Sequence, residues 1–257
     1  MSDWSSSQYL KFKSQRTQPA IDLANRITAS SPSNILDVGC GPGNSSQVLK
    51  QRFPNASVLG IDSSEDMIRS ASQTYRDIEF RLCDAQTELP GLHRTFDVVF
   101  SNACLQWIPD HPRLIPSLME QLVPGGCLAV QIPMNEHEPI HQIIQKIASS
   151  PEWKPRFPNP RIFYTLSPGG YFDLLSKLTR QFDLWQTTYF HIMSSHQDIL
   201  EWYRGTGLRP YLSVLSQPDQ ASFESQILKE LQAAYPKQEN GEIIFHFPRF
   251  FFLAVKE

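Results

Sequence analysis

The sequence NILDVGCGPGNSS extends from Asn34 to Ser46. It joins a short apolar run to a loop with glycine at positions 39, 41 and 43, and a helical pattern follows. This order predicts a buried strand, a ligand-binding loop and the start of a helix, which Asn44 or Ser45 could cap. The spacing is G-x-G-x-G, so Asn44 stands where a dinucleotide fingerprint needs its third glycine. No Gly-Lys-Ser/Thr follows, which excludes the phosphate loop of nucleotide hydrolases.

Strand-like and helical patterns alternate through the first half of the chain. Apolar, β-branched runs occur at 34–38, 56–62, 78–84, 96–102 and 127–133, and segments with helical spacing separate them. Continuous apolar strands of this kind are typical of a parallel sheet with helices on both faces. The first half is therefore predicted to be a doubly wound α/β unit.

Two further strand-like runs lie in the second half, at 182–193 and 242–255, with helical patterns before and between them. We expect them to complete a mostly parallel, seven-stranded sheet whose last strand is antiparallel. The helical stretches at about 134–180 and 194–241 are predicted to be insertions that form a lid. Because no low-complexity linker separates the halves, we expect a single domain over residues 1–257.

Composition narrows the class of protein. The formal net charge is −3 and the isoelectric point is about 6.2, which gives no basic field for nucleic acid. No apolar stretch is of signal-peptide or membrane-spanning type, so we expect a cytoplasmic protein without a membrane partner. The four cysteines have no CxxC pair and no nearby histidine at metal-ligand spacing. We therefore expect reduced thiols and no metal.

Carboxylates follow the second and third predicted strands. Asp62 ends the second, where it could accept hydrogen bonds from both hydroxyls of a ribose. Asp84 ends the third, where it could accept from an adenine amino group, and Met67 could pack on the ring. Either carboxylate could instead cap a helix or turn. Because the strand ends meet at one edge of the sheet, adenosine recognition is the favoured interpretation.

The ordered motifs ILDVGCGPGNSS, GIDSSEDMI, CDA and LVPGGCLAV resemble those of the class I S-adenosylmethionine-dependent methyltransferases, over about residues 34–130. The resemblance implies a Rossmann-like fold with S-adenosylmethionine as cofactor, S-adenosylhomocysteine as product, and a cofactor-binding core at 1–133 completed by 134–257. It also implies a set of cofactor contacts. Around the methionine part and the sulfonium these are Asp37, Gly39, Gly41 and Gly43; around the ribose and adenine they are Asp62, Ser63, Met67, Asp84 and Ala85, with Asn102 as a further contact.

Four segments outside the core resemble the branch of this family that methylates trans-aconitate: MSDWSSSQYLKF, SNACLQWIPDH, TTYFHIMSSHQDILEWYRGTGLRPYL and YPKQENGEIIFHFPRFFFLA. The resemblance implies methyl transfer to one carboxylate of this small polycarboxylic acid, giving a monomethyl ester. A carboxylate is ionised at pH 7 and is its own nucleophile, so no general acid or base is expected. A water-free pocket that holds the reactants in line would supply the acceleration.

Candidate acceptor ligands follow from the charge of such a substrate, because carboxylates that lose their hydration need cationic, bidentate partners. Arg209 and Arg249 stand in otherwise apolar company and are predicted first, with His191 and the Tyr189 hydroxyl as further donors. Each could instead have an ordinary structural role. Arg16 is a weaker candidate, which could contribute charge where the N-terminal segment is expected to fold over the cofactor.

Aromatic residues are predicted to close the site. Trp107, in the loop after the fourth strand, is expected to line the transfer site, although it could be a plain core residue. Trp4 and Tyr9 could be simple N-terminal packing, but the resemblance suggests that their segment folds over the cofactor and contacts the substrate.

Other functions stay open at this point. The acceptor could be a different small acid or a malonyl thioester on a carrier protein, and the chain could bind S-adenosylmethionine without turnover. A nicotinamide-dependent oxidoreductase is disfavoured by the missing third glycine. Methylation of amino groups on bases is disfavoured because SNACLQWIPDH, residues 101–111, lacks an Asn/Asp-Pro-Pro-aromatic motif.

Overall fold

The computed structural model describes residues 13–157 and 163–257. Within them the chain forms one seven-stranded sheet with the order β3-β2-β1-β4-β5-β7-β6. The strands are β1 (Asn34–Val38), β2 (Ser57–Asp62), β3 (Glu79–Leu82), β4 (Phe96–Asn102), β5 (Leu122–Pro133), β6 (Phe182–Met193) and β7 (Ile243–Val255). Only β7 runs antiparallel to its neighbours, β5 and β6. The predicted fold class is confirmed.

Helices cover both faces of the sheet and extend beyond one end of it. They are α1 (Lys13–Arg26), α2 (Asn44–Arg52), α3 (Glu65–Thr74), α4 (His111–Glu120), α5 (Pro139–Ala148), α6 (Pro168–Leu175), α7 (His196–Arg204), α8 (Arg209–Leu212) and α9 (Gln217–Ala234). Short 3-10 turns occur at Leu89–Leu92, Leu105–Trp107 and Lys154–Arg156. No helix in the described ranges has the length and apolarity that crossing a membrane requires.

Strand alternation builds the two cores of the sheet. On β1, Leu36 packs in the cluster that includes α4 and α6, whereas Ile35 packs in the opposite cluster with α1 and α2. Neighbouring strand residues point to opposite faces, so a fully apolar strand fills both clusters. The strands thereby hold their carboxyl ends in fixed register, which is where the ligand-binding loops begin.

A third apolar cluster joins α5, α7 and α9 to the ends of β6 and β7. These helices lie in the two stretches predicted as insertions, and they form a cap above the β5-β7-β6 part of the sheet. Phe245 and Phe247 on β7 and Trp202 on α7 are among its buried members. The cap therefore rests on an aromatic base, and β7 is the strand that connects it to the main sheet.

Two predicted strand boundaries were wrong. β5 begins at Leu122 rather than at Cys127, because Leu122 pairs with Phe96 before a register shift passes over Pro124 and the glycines that follow it. β3 extends only over Glu79–Leu82 because it is the edge strand, with one neighbour, and its side chains are mostly exposed. All four cysteines are free thiols.

Candidate active site

The glycine loop takes a backbone conformation that needs glycine. Gly39, Gly41 and Gly43 have φ angles of 72°, 54° and 91°. A Cβ atom on Gly39 would lie 2.1 Å from the Cys104 sulfur, so the loop after β4 approaches the glycine loop closely. The Gly39 amide donates to the Ile61 carbonyl at 2.8 Å, which fixes the loop against β2. The loop is therefore held between the ends of β2 and β4.

Asp37 lies beneath this loop and is fully buried. The hydroxyls of Ser45 and Ser46 donate to its Oδ2 atom, each at 2.6 Å. The predicted cap at Asn44 or Ser45 was wrong, because α2 begins at Asn44 and has no side-chain cap. Gly43 takes the N-cap position instead, in a left-handed conformation. Burial raises the pKa of Asp37 to about 6, against the opposing effect of the serine hydrogen bonds. The carboxyl anchors the loop to the first turn of α2.

The second and third strand ends place two carboxylates beside the loop. Asp62 accepts hydrogen bonds from the Gly41 amide at 2.9 Å and from the Ser64 amide at 3.0 Å. Ser64, not Asp62, caps α3 by accepting from the Met67 amide. Asp84 accepts from the Gln86 amide at 2.8 Å in a local turn. Both carboxylates combine a structural hydrogen bond with a place on the wall of a cleft.

The cleft has a volume of about 410 Å³. Eight of the predicted cofactor contacts lie on its wall: Gly39, Gly41, Asp62, Ser63, Met67, Asp84, Ala85 and Asn102. Asp37 and Gly43 lie behind the wall and shape the loop. Asn102 fits a cofactor with an ammonium group, because its buried Oδ1 atom accepts no hydrogen bond from the described residues. Asp62, on the same wall, presents carboxylate oxygens of the acceptor type that ribose hydroxyls require.

A second, smaller chamber of about 70 Å³ adjoins the cleft beneath the helical cap. The two cavities share Arg16, Ala103 and Trp107 as wall residues. The remaining chamber wall consists of Gln106, Pro133, Asn135, His141, Phe163, Trp202, Tyr203, Thr206, Gly207, Phe247 and Arg249. Within the described ranges this wall contains no Asp or Glu. The chamber thus combines aromatic surfaces, hydrogen-bond donors and two arginines.

Both arginines of the chamber are buried. Arg249 is 3% exposed, donates from Nη1 to Gln131 Oε1 at 3.1 Å, and lies 4.6 Å from the Phe247 ring centroid. Arg16 is 7% exposed and donates from Nη2 to the Trp202 carbonyl at 3.3 Å. Burial, followed by the charges of Arg249 and Arg16, lowers the pKa of nearby His191 to about 4. The chamber region is therefore electropositive at neutral pH.

Comparison with known proteins identifies the family of this chain. A family model for a methyltransferase domain matches residues 35–126. The trans-aconitate 2-methyltransferase of Azoarcus sp. (strain BH72) is 40% identical over 257 residues, which cover 100% of both chains. The chain belongs to the trans-aconitate 2-methyltransferase family. The relative from Escherichia coli (strain K12 / DH10B) is 41% identical over 254 residues, covering 99% of this chain and 98% of that protein.

Solved structures agree on the fold. The YcgJ protein from Bacillus subtilis superposes with a TM-score of 0.64 at 14% identity, covering 93% of this chain and 99% of that one. Phosphoethanolamine N-methyltransferase 2 of Haemonchus contortus, in complex with S-adenosyl-L-methionine, gives a TM-score of 0.53 at 18% identity, covering 93% of this chain and 53% of that one. These two structures support the fold; the family membership and the matched methyltransferase domain identify the chain as an S-adenosylmethionine-dependent methyltransferase, as the sequence motifs predicted.

Some of the predicted acceptor residues lie on the chamber wall and others do not. Arg249 and Trp107 lie on the chamber wall. Arg209 does not; it begins α8, three residues after the wall residue Thr206. Trp4 and Tyr9 fall outside the described residues.

Two predicted donors on β6 also lie away from the chamber wall. His191 packs against Trp202, with ring centroids 4.7 Å apart, and its Nε2 atom meets no hydrogen-bond partner in the described part of the chain. Tyr189 donates its hydroxyl to Asp22 Oδ2 at 2.5 Å. Its hydroxyl therefore ties β6 to α1 rather than facing an acceptor.

Several wall residues were not predicted from the sequence, notably His141, Phe163 and Asn135. Arg16 could have been ranked higher. It shares one face of α1 with the buried residues Ala20, Leu23 and Ala24, at helical spacing. An arginine on the apolar face of an amphipathic helix is a signal for a buried charged site.

Proposed function

We propose that this protein transfers the methyl group of S-adenosylmethionine to one carboxylate of trans-aconitate, giving a monomethyl ester and S-adenosylhomocysteine. The observation that supports it most is the chamber beside the cofactor cleft, where Arg16 and Arg249 are buried and no described wall residue is acidic. The names of the full-length relatives support the same acceptor. The four free thiols suit a reducing compartment, which supports a cytoplasmic location.

Charge is divided between the two cavities in a way that suits the two ligands. The cleft presents Asp62 and Asp84 to an adenosine with donor groups. The chamber presents Arg16 and Arg249 instead. A polycarboxylate loses its hydration on entering, and guanidinium groups offset that cost through paired, charge-assisted hydrogen bonds. A protonated amine would be repelled by the same two guanidinium groups.

The chamber also suits a reaction that needs no proton transfer. The bound cofactor supplies an electrophilic methyl group, and a carboxylate attacks as the anion that it already is at pH 7. Burial raises the pKa of Tyr203, whose hydroxyl accepts from Asn135 Nδ2 at 3.0 Å, so this residue stays protonated. It serves as a neutral polar group rather than a base.

Aromatic side chains keep water from the junction of the cavities. Trp107 packs against Phe163 with ring centroids 4.9 Å apart, and Phe163 contacts His141 at 5.5 Å. The Tyr164 amide donates to the Gln106 carbonyl at 3.1 Å, which fixes this wall to the loop after β4. Exclusion of water strengthens the nucleophile and the electrostatic contacts that orient it.

Steady-state kinetics on wild type and Arg249→Leu test the acceptor site. Loss of a charge-assisted contact should raise the KM for trans-aconitate by about ten- to a hundredfold, with cofactor affinity unchanged. Arg76→Leu, at an exposed position before β3, is the matched control. In the same experiment, Arg209→Leu examines the arginine that lies off the chamber wall.

Two outcomes would contradict the proposal. A wild-type KM in Arg249→Leu would remove this arginine from the acceptor site. Faster methylation of a malonyl thioester than of any free acid would replace trans-aconitate with a carrier-bound substrate.

A further inference from the structure

Arg16 lies on the wall of both cavities, at the point where they meet. We propose that it binds the carboxylate in the methionine part of the cofactor on one side and a carboxylate of the acceptor on the other. The cofactor half of this assignment is independent of the acceptor's identity. The acceptor half rests on the proposed function.

The sheet order sets the direction in which the cofactor extends. Asp84 follows β3 and Asp62 ends β2, so adenosine recognition occupies one end of the cleft. The next strands in the sheet are β1 and β4, with the glycine loop and Asn102 at their ends. The methionine part must therefore lie over β1 and β4. Arg16 lines the cleft together with Gly39 and Asn102, and the chamber begins beyond them at β5 and β7.

The methionine part carries an ammonium and a carboxylate, and each needs a partner of opposite character. Asn102 Oδ1 is a buried acceptor suited to the ammonium. For the carboxylate, Arg16 is the one Lys or Arg side chain on the described cleft wall. A guanidinium presents five donors in a planar fork, which is enough for two carboxylates on different edges. One arginine can therefore serve both ligands.

The protein holds Arg16 in place for this role. Its side chain is 7% exposed and is packed beneath the cap. The guanidinium carbon lies 5.0 Å from the Trp202 ring centroid, and Nη2 donates to the carbonyl of the same residue. Trp202 belongs to α7 of the cap, so the cap orients the arginine that the cofactor uses.

The decisive experiment compares two ligands on three proteins by calorimetry. The ligands are S-adenosylhomocysteine and its decarboxylated analogue, which differ only in the methionine carboxylate. Wild type should bind S-adenosylhomocysteine about ten- to a hundredfold more tightly than the analogue, the range expected for a charge-assisted hydrogen bond. Arg16→Gln should bind the two with equal affinity, and Arg16→Lys should recover part of the difference. Unchanged affinity for the analogue in Arg16→Gln would show that the cleft is intact.

If Arg16→Gln prefers S-adenosylhomocysteine over the analogue as strongly as wild type does, Arg16 does not bind the carboxylate of the cofactor. Arg249→Gln is the matched control, because its arginine lines only the chamber and it should keep the wild-type preference. No acid is present in these titrations, so failure of the proposed acceptor would leave their outcome unaffected.

The acceptor half is tested at saturating S-adenosylmethionine. There, Arg16→Gln should raise the KM for trans-aconitate about tenfold or more, as expected when a charged partner is lost. A wild-type KM would restrict Arg16 to the cofactor.

Discussion

Asp37 allows a quantitative test of how the glycine loop is built. Its carboxyl is fully buried, and its pKa rises from 3.8 to about 6, with burial as the main cause. Each pKa unit corresponds to about 1.4 kcal/mol, so ionised Asp37 costs the native state about 3 kcal/mol at neutral pH. Because the native state holds this proton more tightly than the unfolded chain, the contribution of Asp37 to stability falls as pH rises from about 4 through the native pKa of about 6. About one pH unit above the native pKa it becomes constant.

Asp37→Asn removes this pH dependence and leaves an amide that can still accept from Ser45 and Ser46. Urea unfolding of the cofactor-free protein, extrapolated to water at several pH values, measures the effect. Between pH 4 and pH 7.5 the variant should gain about 2–2.5 kcal/mol relative to wild type, whatever constant offset the new amide introduces. Asp77→Asn, at an exposed position, is the control for loss of a carboxylate. Parallel pH profiles for wild type and Asp37→Asn would show that the native state does not raise the pKa of Asp37.

Two further substitutions test the cleft wall. Asp62→Ala should weaken S-adenosylhomocysteine binding by about 1–3 kcal/mol, because ribose hydroxyls and the Gly41 amide lose an acceptor; equal calorimetric affinity would remove the ribose role. Gly39→Ala should destabilise the protein by at least about 1–2 kcal/mol, since φ is positive and the new Cβ meets the Cys104 side chain. Gly91→Ala should cost far less stability, because a Cβ atom at Gly91 would meet no atom within 4 Å. Both glycine variants are compared with wild type by thermal unfolding. Similar losses in both glycine variants would contradict the close approach at Gly39.

Local patterns made the sheet and the cofactor side predictable. A buried parallel strand is apolar on both faces, so β1 and β4 stand out in the sequence with correct boundaries. The ligand-binding residues follow such strands directly, and the topology then brings Asp62 and Asp84 to one edge. For residues at this edge, the position directly after a strand in the sequence therefore predicts the position in the site.

The acceptor side is assembled from distant segments, which sequence patterns do not order in space. Arg249 could be predicted because it interrupts an apolar strand. Arg209 has similar apolar neighbours, yet it begins a short helix beside the chamber rather than on its wall. Tyr189 faces inward on β6, but Asp22 of α1 takes its hydroxyl, a pairing across 167 positions of the chain. Which polar groups already form hydrogen bonds with each other, and so do not face a substrate, depends on the tertiary structure.

Product analysis can show whether the chamber positions a carboxylate for methyl transfer. Purified protein is incubated with S-adenosylmethionine carrying a deuterated methyl group and with an equimolar mixture of trans-aconitate, cis-aconitate and citrate. Mass spectrometry should detect the labelled monomethyl ester of trans-aconitate forming fastest, in step with S-adenosylhomocysteine. If S-adenosylmethionine binds and no acid gains the label, the cleft holds its cofactor but the acceptor assignment is wrong.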